Sequence, residues 1–377
     1  MRIAFYAPLR PPGEAADTRD TGRFLMDALA RAGHEVELVS NFRSYEDEGD
    51  PDRQIALRDE GTAIARHLAV QWRSGRRAAR PDLWFTHHVY YKAPDWLGPL
   101  VSAELAVPYV IAEASHAPKR AASGWAIGHE ATAEAIRRAD LVLCPTRHDV
   151  AGVQPLVFKR ERVMRLLPFL DPAPFRHAAG MRDAHRAALA AAHRLNPGVP
   201  WITAAAMMRP GNKVASYRAL AAALVHLNDL PWRLLIAGDG PARPEIEAAI
   251  ETELPGRACF LGRLELAELA PVYAASDLCV WPAVNATYGR AMLEAQAAGT
   301  AIVSCAPRGV PDSVAEGRTG VHTAPGNTEA LAEHIRTLLL RPSRRAALGQ
   351  AAMAFIDEER SIEAAAARLG RALELVQ

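Results

Sequence analysis

Short apolar runs, each stopping at a cluster of polar residues, recur along the whole 377-residue sequence and constrain its fold more than any other feature. Residues 2–7 form the first. Val36-Glu-Leu-Val-Ser40, Leu83-Trp-Phe85, Val107-Pro-Tyr-Val-Ile-Ala112 and Leu141-Val-Leu-Cys144 follow. The second half repeats the pattern with Trp201-Ile-Thr-Ala-Ala-Ala206, Trp232-Arg-Leu-Leu-Ile-Ala237, Phe260-Leu-Gly-Arg263, Leu278-Cys-Val-Trp281 and Ala301-Ile-Val-Ser304. Runs this short and apolar suit strands buried on both faces, and helical segments such as Thr21 to Ala32 separate them. Alternation of this kind builds doubly wound parallel sheets, whose ligands bind outside the carboxyl ends of the strands. The polar clusters sit at those ends: Thr86-His-His88, Glu113-Ala-Ser-His116, Pro145-Thr-Arg-His148, Arg209-Pro-Gly-Asn-Lys213 and Gly238-Asp-Gly-Pro241.

The length suits two domains of ordinary size, and the prolines of Leu166-Leu-Pro-Phe-Leu-Asp-Pro-Ala-Pro174 mark the break between them. Lys+Arg 44 against Asp+Glu 43 gives a formal charge of +1, so no global pull toward nucleic acid is encoded. Cys144, Cys259, Cys279 and Cys305 stand singly in apolar runs without CxxC spacing and read as reduced core residues. The thirteen histidines are scattered, and no Asp-x-Asp pair offers a diphosphate-bound divalent ion its ligands, so no metal is expected. No GxGxxG follows the first strand and no GxSxG elbow occurs, which argues against dinucleotide and hydrolase chemistry. A strand starting at the first residues leaves no room for a signal peptide, and no apolar run reaches spanning length, so a cytoplasmic protein is expected. The arginine-rich, helical stretch 41–80 is either a solvated face or a basic rim for peripheral contact at the inner face of a membrane.

The stretch from Trp281 to Gly299 combines the end of a buried strand, a polar turn, and a helix stopped by glycine. Ala291, Met292, Leu293, Ala295, Ala297 and Ala298 leave that helix no polar face, so Glu294 is predicted to be buried. A buried carboxylate needs hydrogen-bond donors, here either a ligand or Arg290 one turn earlier. Asn285 to Gly299, with Ala301-Ile-Val-Ser304 and Gly309-Val-Pro-Asp312, resembles the donor-site signature of the retaining GT-B glycosyltransferases of family 4. That signature carries two glutamates separated by seven residues. The second falls on Glu294 and the first on position 286, where this chain has Ala286.

The resemblance implies an α/β GT-B fold of two facing Rossmann-like doubly wound domains. It assigns 1–172 to an acceptor-binding domain and 173–355 to a nucleotide-sugar domain, with 356–377 a C-terminal helix returning to the first. Glu294 would hold the ribose hydroxyls, and the residue at 286 would have contacted the transferred sugar. Arg209 and Lys213, following a buried strand within one loop, suit a diphosphate. Asn285, Thr287, Tyr288 and Gly289 open the signature helix, whose free N–H groups also suit phosphate. Gly238 stands in a turn that recurs in the family and equally suits a plain strand-to-helix turn, and Gly262 and Arg263 resemble the nucleobase-lining segment. In the first domain His87, His88, Tyr90 and Tyr91 form either an acceptor surface or a loop docked on its own domain. Glu113 and His116 lie near the place of the family's sugar-contacting histidine, which falls at Ala114.

The expected function is metal-independent, retaining transfer of a sugar from a nucleoside-diphosphate sugar to a glycan, lipid-linked or small-molecule acceptor. The nucleotide sugar is a co-substrate, and no cofactor is expected. Because of Ala286, the alternative is a degenerate GT-B protein that binds a nucleotide or partner without efficient transfer. A GT-B epimerase or phosphorylase lacks its own motif here.

Overall fold

The computed structural model describes residues 1–13, 20–75, 80–286, 289–307 and 309–376. The chain divides into one unit of Met1–Leu167 with Ile362–Gln377 and a second of Pro168–Ser361.

The first unit holds β1 (Arg2–Tyr6), β2 (Glu35–Ser40), β3 (Leu83–His87), β4 (Tyr109–Ala112), β5 (Leu141–Cys144) and β6 (Val163–Arg165). They form one parallel sheet in the order β2-β1-β3-β4-β5-β6. β3, β4 and β5 are buried along their whole length, whereas edge strand β2 exposes Glu35 and Glu37. β6 is not marked by an apolar run in the sequence. It is a three-residue edge strand with no fully buried position, so it lacks the apolar run that marks the others. The chain winds from β1 outward to β2, then from β3 in the opposite direction, which puts the switch point at the carboxyl ends of β1 and β3.

Asp20 caps the helix Thr21–Arg31 by accepting from the N–H groups of Gly22 and Arg23 at 3.0 and 3.2 Å. Beside that helix lies the terminal helix Ile362–Leu373, tied to it by an Arg31–Glu363 ion pair. Ile362, Ala365, Ala366, Leu369 and Leu373 make its buried stripe at helical spacing, so the chain returns to the first unit to complete its core.

The second unit holds β7 (Trp201–Ala205), β8 (Arg233–Ala237), β9 (Ala258–Gly262), β10 (Leu278–Trp281), β11 (Ala301–Cys305) and β12 (Gly320–Thr323). Their order is β12-β11-β10-β7-β8-β9, again parallel, so each unit is a doubly wound, Rossmann-like sheet as expected from the sequence. β12, Gly-Val-His-Thr, likewise lacks an apolar run. Here the switch point falls between β7 and β10. Their register runs through Leu278–Ile202 and Cys279–Thr203, after which the two strands part toward their carboxyl ends. At the other end, Asp277 fixes where β10 begins. Its carboxylate accepts from Trp201 N at 2.8 Å and pairs with Arg182, Arg186 and Arg345 at 3.1, 2.9 and 3.2 Å. All four cysteines are free, three buried and Cys259 half-buried.

Candidate active site

In the second unit, two loops meet at the β7/β10 switch point. The loop after β7 is zipped to the loop after β8: Ala206 N donates to Ala237 O at 3.0 Å, Met208 N to Asp239 O at 2.9 Å, and Ala242 N to Met208 O at 2.9 Å. That approach requires glycine. A Cβ on Gly238, where φ is +146°, would lie 2.0 Å from the Ala206 oxygen. Gly238 thus permits the close packing of the two loops. Gly211, at φ +80°, then turns the chain into the helix Asn212–Val225, placing Lys213 in its first turn and Arg209 exposed just before it. The Lys213 ammonium lies 5.2 Å from the centre of the Trp281 ring, which meets Tyr217 edge-on at 5.0 Å. Burial, and then the charge of Arg209, hold the Lys213 pKa below the ordinary lysine range.

The loop after β10 folds onto the start of the same helix. Val284 N donates to Ser216 Oγ at 3.0 Å, and Asn285 Nδ2 to Asn212 Oδ1 at 3.3 Å. Ala283 and Asn285 are both left-handed, at φ 55° and 51°, a conformation that costs a non-glycine residue about 1 kcal/mol and concentrates at functional loops. Ala286 packs, partly buried, against the core, and Thr287 and Tyr288 lie outside the described residues. Gly289 caps the helix Arg290–Ala297, and a Cβ there would strike the Met292 methyl at 1.8 Å.

Glu294 is 4% exposed within that helix, as predicted from its apolar neighbours. Its carboxylate has internal partners: Arg290 Nε at 3.3 Å and the Tyr273 hydroxyl at 3.4 Å. The internal pairing with Arg290 is therefore present. Gly262, at φ +72°, ends β9, and Arg263 is exposed and paired with Glu265 at 3.3 Å.

On the first unit, a second polar group stands at the ends of β3 and β4, beside the β1/β3 switch point. His88 N donates to Ala112 O and Glu113 N to Leu143 O, both at 2.8 Å, so the sheet ladder itself places these residues. Glu113 Oε2 lies 3.5 Å from His87 Nε2 and 3.4 Å from His88 Nδ1. Burial pushes the Glu113 carboxyl up, but the adjoining imidazoles outweigh it and hold the group well below the usual carboxylate range. His116 takes no place in this group. Its ring lies 4.7 Å from that of His129, tilted by 33°, and burial, followed by the charge of His129, lowers its pKa.

From His88 a row of rings runs edge-to-face through Tyr90, Tyr91 and Trp125, with centroids 5.4, 5.4 and 5.6 Å apart. The Arg120 guanidinium lies over both Tyr91 and Trp125, and Lys92 over Trp125. Burial pushes Tyr90 up to about 12, which keeps its hydroxyl a neutral donor and acceptor. Asp95 anchors the loop. It is fully buried and accepts from Thr86 Oγ1, Tyr109 OH, Leu97 N and Gly98 N at 2.5, 2.7, 2.9 and 2.7 Å.

Sequence spacing missed several of these partners. Trp125 and Arg120 lie some thirty residues beyond the tyrosines they join, with no local signal, whereas Asn212 was visible inside the Arg209–Lys213 stretch. The sequence also shows no metal-ligand spacing, yet the fold gathers His87, His88 and Glu113 with their ligand atoms within 4.8 Å of one another.

Comparison with known proteins follows the same division. Residues 23–168 match the family model described as "Glycosyl transferase 4-like domain" and residues 200–341 the one described as "Glycosyl transferases group 1". Fold and domain matches together support a glycosyltransferase of the GT4 type. Among curated relatives, a D-inositol 3-phosphate glycosyltransferase of Rhodococcus erythropolis is 31% identical over 208 residues, 53% of this chain and 45% of its own. A sulfoquinovosyl transferase of Arabidopsis thaliana is 36% identical over 123 residues, 32% of this chain and 24% of its own. The matched stretches thus span less than half the length of these relatives. Sucrose-phosphate synthase from Thermosynechococcus elongatus superposes with a TM-score of 0.71 at 17% identity, covering 99% of this chain and 98% of that one. HepE from Anabaena, in complex with UDP, gives 0.71 at 16% identity, covering 99% and 100%. No helix among the described residues is long and apolar enough to cross a membrane.

Proposed function

We propose that the chain transfers a sugar from a nucleoside-diphosphate sugar to an acceptor hydroxyl, with retention of configuration and without a metal on the diphosphate. The observation that carries this reading is the meeting of the loops after β7 and β10 through Val284–Ser216 and Asn285–Asn212, with Arg209 and Lys213 on the first and the Gly289 helix start and buried Glu294 following the second. Anabaena HepE, which shares this fold, binds UDP and UDP-glucose, which favours the same ligand class here.

In this mechanism the bond between the anomeric carbon and the diphosphate oxygen breaks while Arg209, Lys213 and the helix N-terminus stabilise the charge arriving on that oxygen. The acceptor hydroxyl attacks from the face the diphosphate leaves. Its proton passes to the departing phosphate, so no strong protein base is required. Glu294 takes the ribose hydroxyls alongside its contacts to Arg290 and Tyr273. With Ala286 where the family carries a carboxylate, the sugar is held by other groups, Asn285 foremost. The tyrosines and Trp125 of the first unit supply stacking surface for the acceptor.

The test is thermal unfolding against UDP, GDP, ADP and their sugar conjugates, followed by product analysis with the sugar of the nucleotide that binds. A shift with one base and a product of retained anomeric configuration is expected. An inverted product would sink the retaining mechanism, and silence across the panel would sink the donor assignment.

A further inference from the structure

Glu113 stands farther from His87 and His88 than a strong charge-assisted hydrogen bond would hold it. A charge-assisted N–H···O bond closes to about 2.7–2.9 Å, but Glu113 Oε2 stands 3.5 Å from His87 Nε2 and 3.4 Å from His88 Nδ1. Ligand atoms around a tetrahedral ion with bonds of about 2.0–2.1 Å are about 3.3–3.4 Å apart. The two separations from Glu113 match that edge, and all three ligand atoms lie within 4.8 Å of one another. His87 Nε2 is, moreover, a buried nitrogen without a hydrogen bond, on a side chain only 5% exposed.

The backbone gives an independent sign. His88 and Glu113 both occupy the left-handed region, at φ 65° and 61°. Histidine enters this region more readily than most side chains but glutamate rarely does, and such strain gathers where a structure must aim particular side chains. Here it turns both side chains toward His87 while their N–H groups stay in the sheet ladder. Two imidazole nitrogens and one carboxylate oxygen suit zinc-class ions better than magnesium or calcium, which prefer all-oxygen shells.

We propose that His87 Nε2, His88 Nδ1 and Glu113 Oε2 bind one divalent cation of the zinc class, with a fourth position open to solvent. Opening is provided by the outer pair, since His88 and Glu113 side chains are 39% and 22% exposed while His87 is enclosed. The site lies on the first unit and is independent of the donor reading made for the second, so either can fail alone.

The experiment uses the full chain, stripped with a chelator and dialysed, and titrated with cobalt(II). One equivalent is expected to bind with visible d–d absorption of a low-coordinate ion, and one equivalent of zinc is expected to bleach it. Zinc affinity should fall at least tenfold in both His88→Ala and Glu113→Gln. Both altered side chains are partly exposed, and melting curves in chelator show whether each variant is folded. Absence of stoichiometric cobalt and zinc binding by the unaltered chain overturns the proposal. Binding of unchanged strength in folded His88→Ala and Glu113→Gln overturns it equally, because the ion then sits elsewhere.

Discussion

Lys213 holds its proton less firmly than an exposed lysine because burial, and then Arg209, disfavour its charge. A bound diphosphate supplies opposite charge and reverses that preference, so binding favours protonated Lys213. Nucleotide affinity should therefore be greatest below the lowered pKa and fall as pH rises through it, starting below the unperturbed value of about 10.4. Lys213→Arg stays charged across that range. Calorimetric titration of both forms with the selected nucleotide should show a steeper alkaline loss in the native chain. Parallel profiles would exclude Lys213 from the phosphate site. Glu294→Gln preserves size but removes the charge that faces Arg290 and, in the proposed site, the ribose. A roughly tenfold loss of nucleotide affinity is expected, since a hydrogen bond to a charged group contributes about 1.5–3 kcal/mol. An unchanged dissociation constant would leave Glu294 as a structural partner of Arg290 only.

At the scale of elements, the loop carrying the aromatic row depends on one carboxylate. Asp95 is buried at the base of that loop and receives four donors, so Asp95→Ala leaves Thr86, Tyr109 and two backbone N–H groups without their acceptor. Destabilisation of about 3 kcal/mol or more is expected in denaturant unfolding. A change under about 1 kcal/mol would mean that water replaces the carboxylate. Nothing in the sequence distinguished Asp95 from other loop acids, because its partners come from β3, β4 and the next helix. The strands of the interior were legible for the opposite reason: burial on both faces makes an uninterrupted apolar run. Edge strands β6 and β12 carry no such run, and both were missed. The burial of Glu294 was legible because its neighbours are apolar all round the helix. The grouping of His87, His88 and Glu113 was not, because it arises from adjacent strands whose sequences are twenty-odd residues apart.

For the molecule as a whole, the path of the chain sets the consequence of losing its end. Ser361 closes the second unit and Ile362 opens a helix that belongs to the first. Removing residues 362–377 strips Ile362, Leu369 and Leu373 from the first core and leaves the second sheet intact. Each of these three side chains contributes about 1.5–3 kcal/mol when fully buried, so the loss is about 4.5–9 kcal/mol before discounting for the partly compact unfolded chain, and about 5 kcal/mol after it. For units of this size each kcal/mol moves the midpoint by roughly 2–4 °C, so the first unit should melt more than about 10 °C earlier. The second unit should keep its response to nucleotide: at 100 times the dissociation constant a ligand adds about 2.7 kcal/mol to the unit that binds it. Scanning calorimetry of the full and shortened chains, each with and without the nucleotide, separates these effects. The expected outcome is an early transition that is insensitive to nucleotide and a later one that still rises with it. If shortening abolishes the nucleotide response, the donor site depends on the first unit. If one transition persists at its original temperature, the terminal helix contributes little to the core it covers.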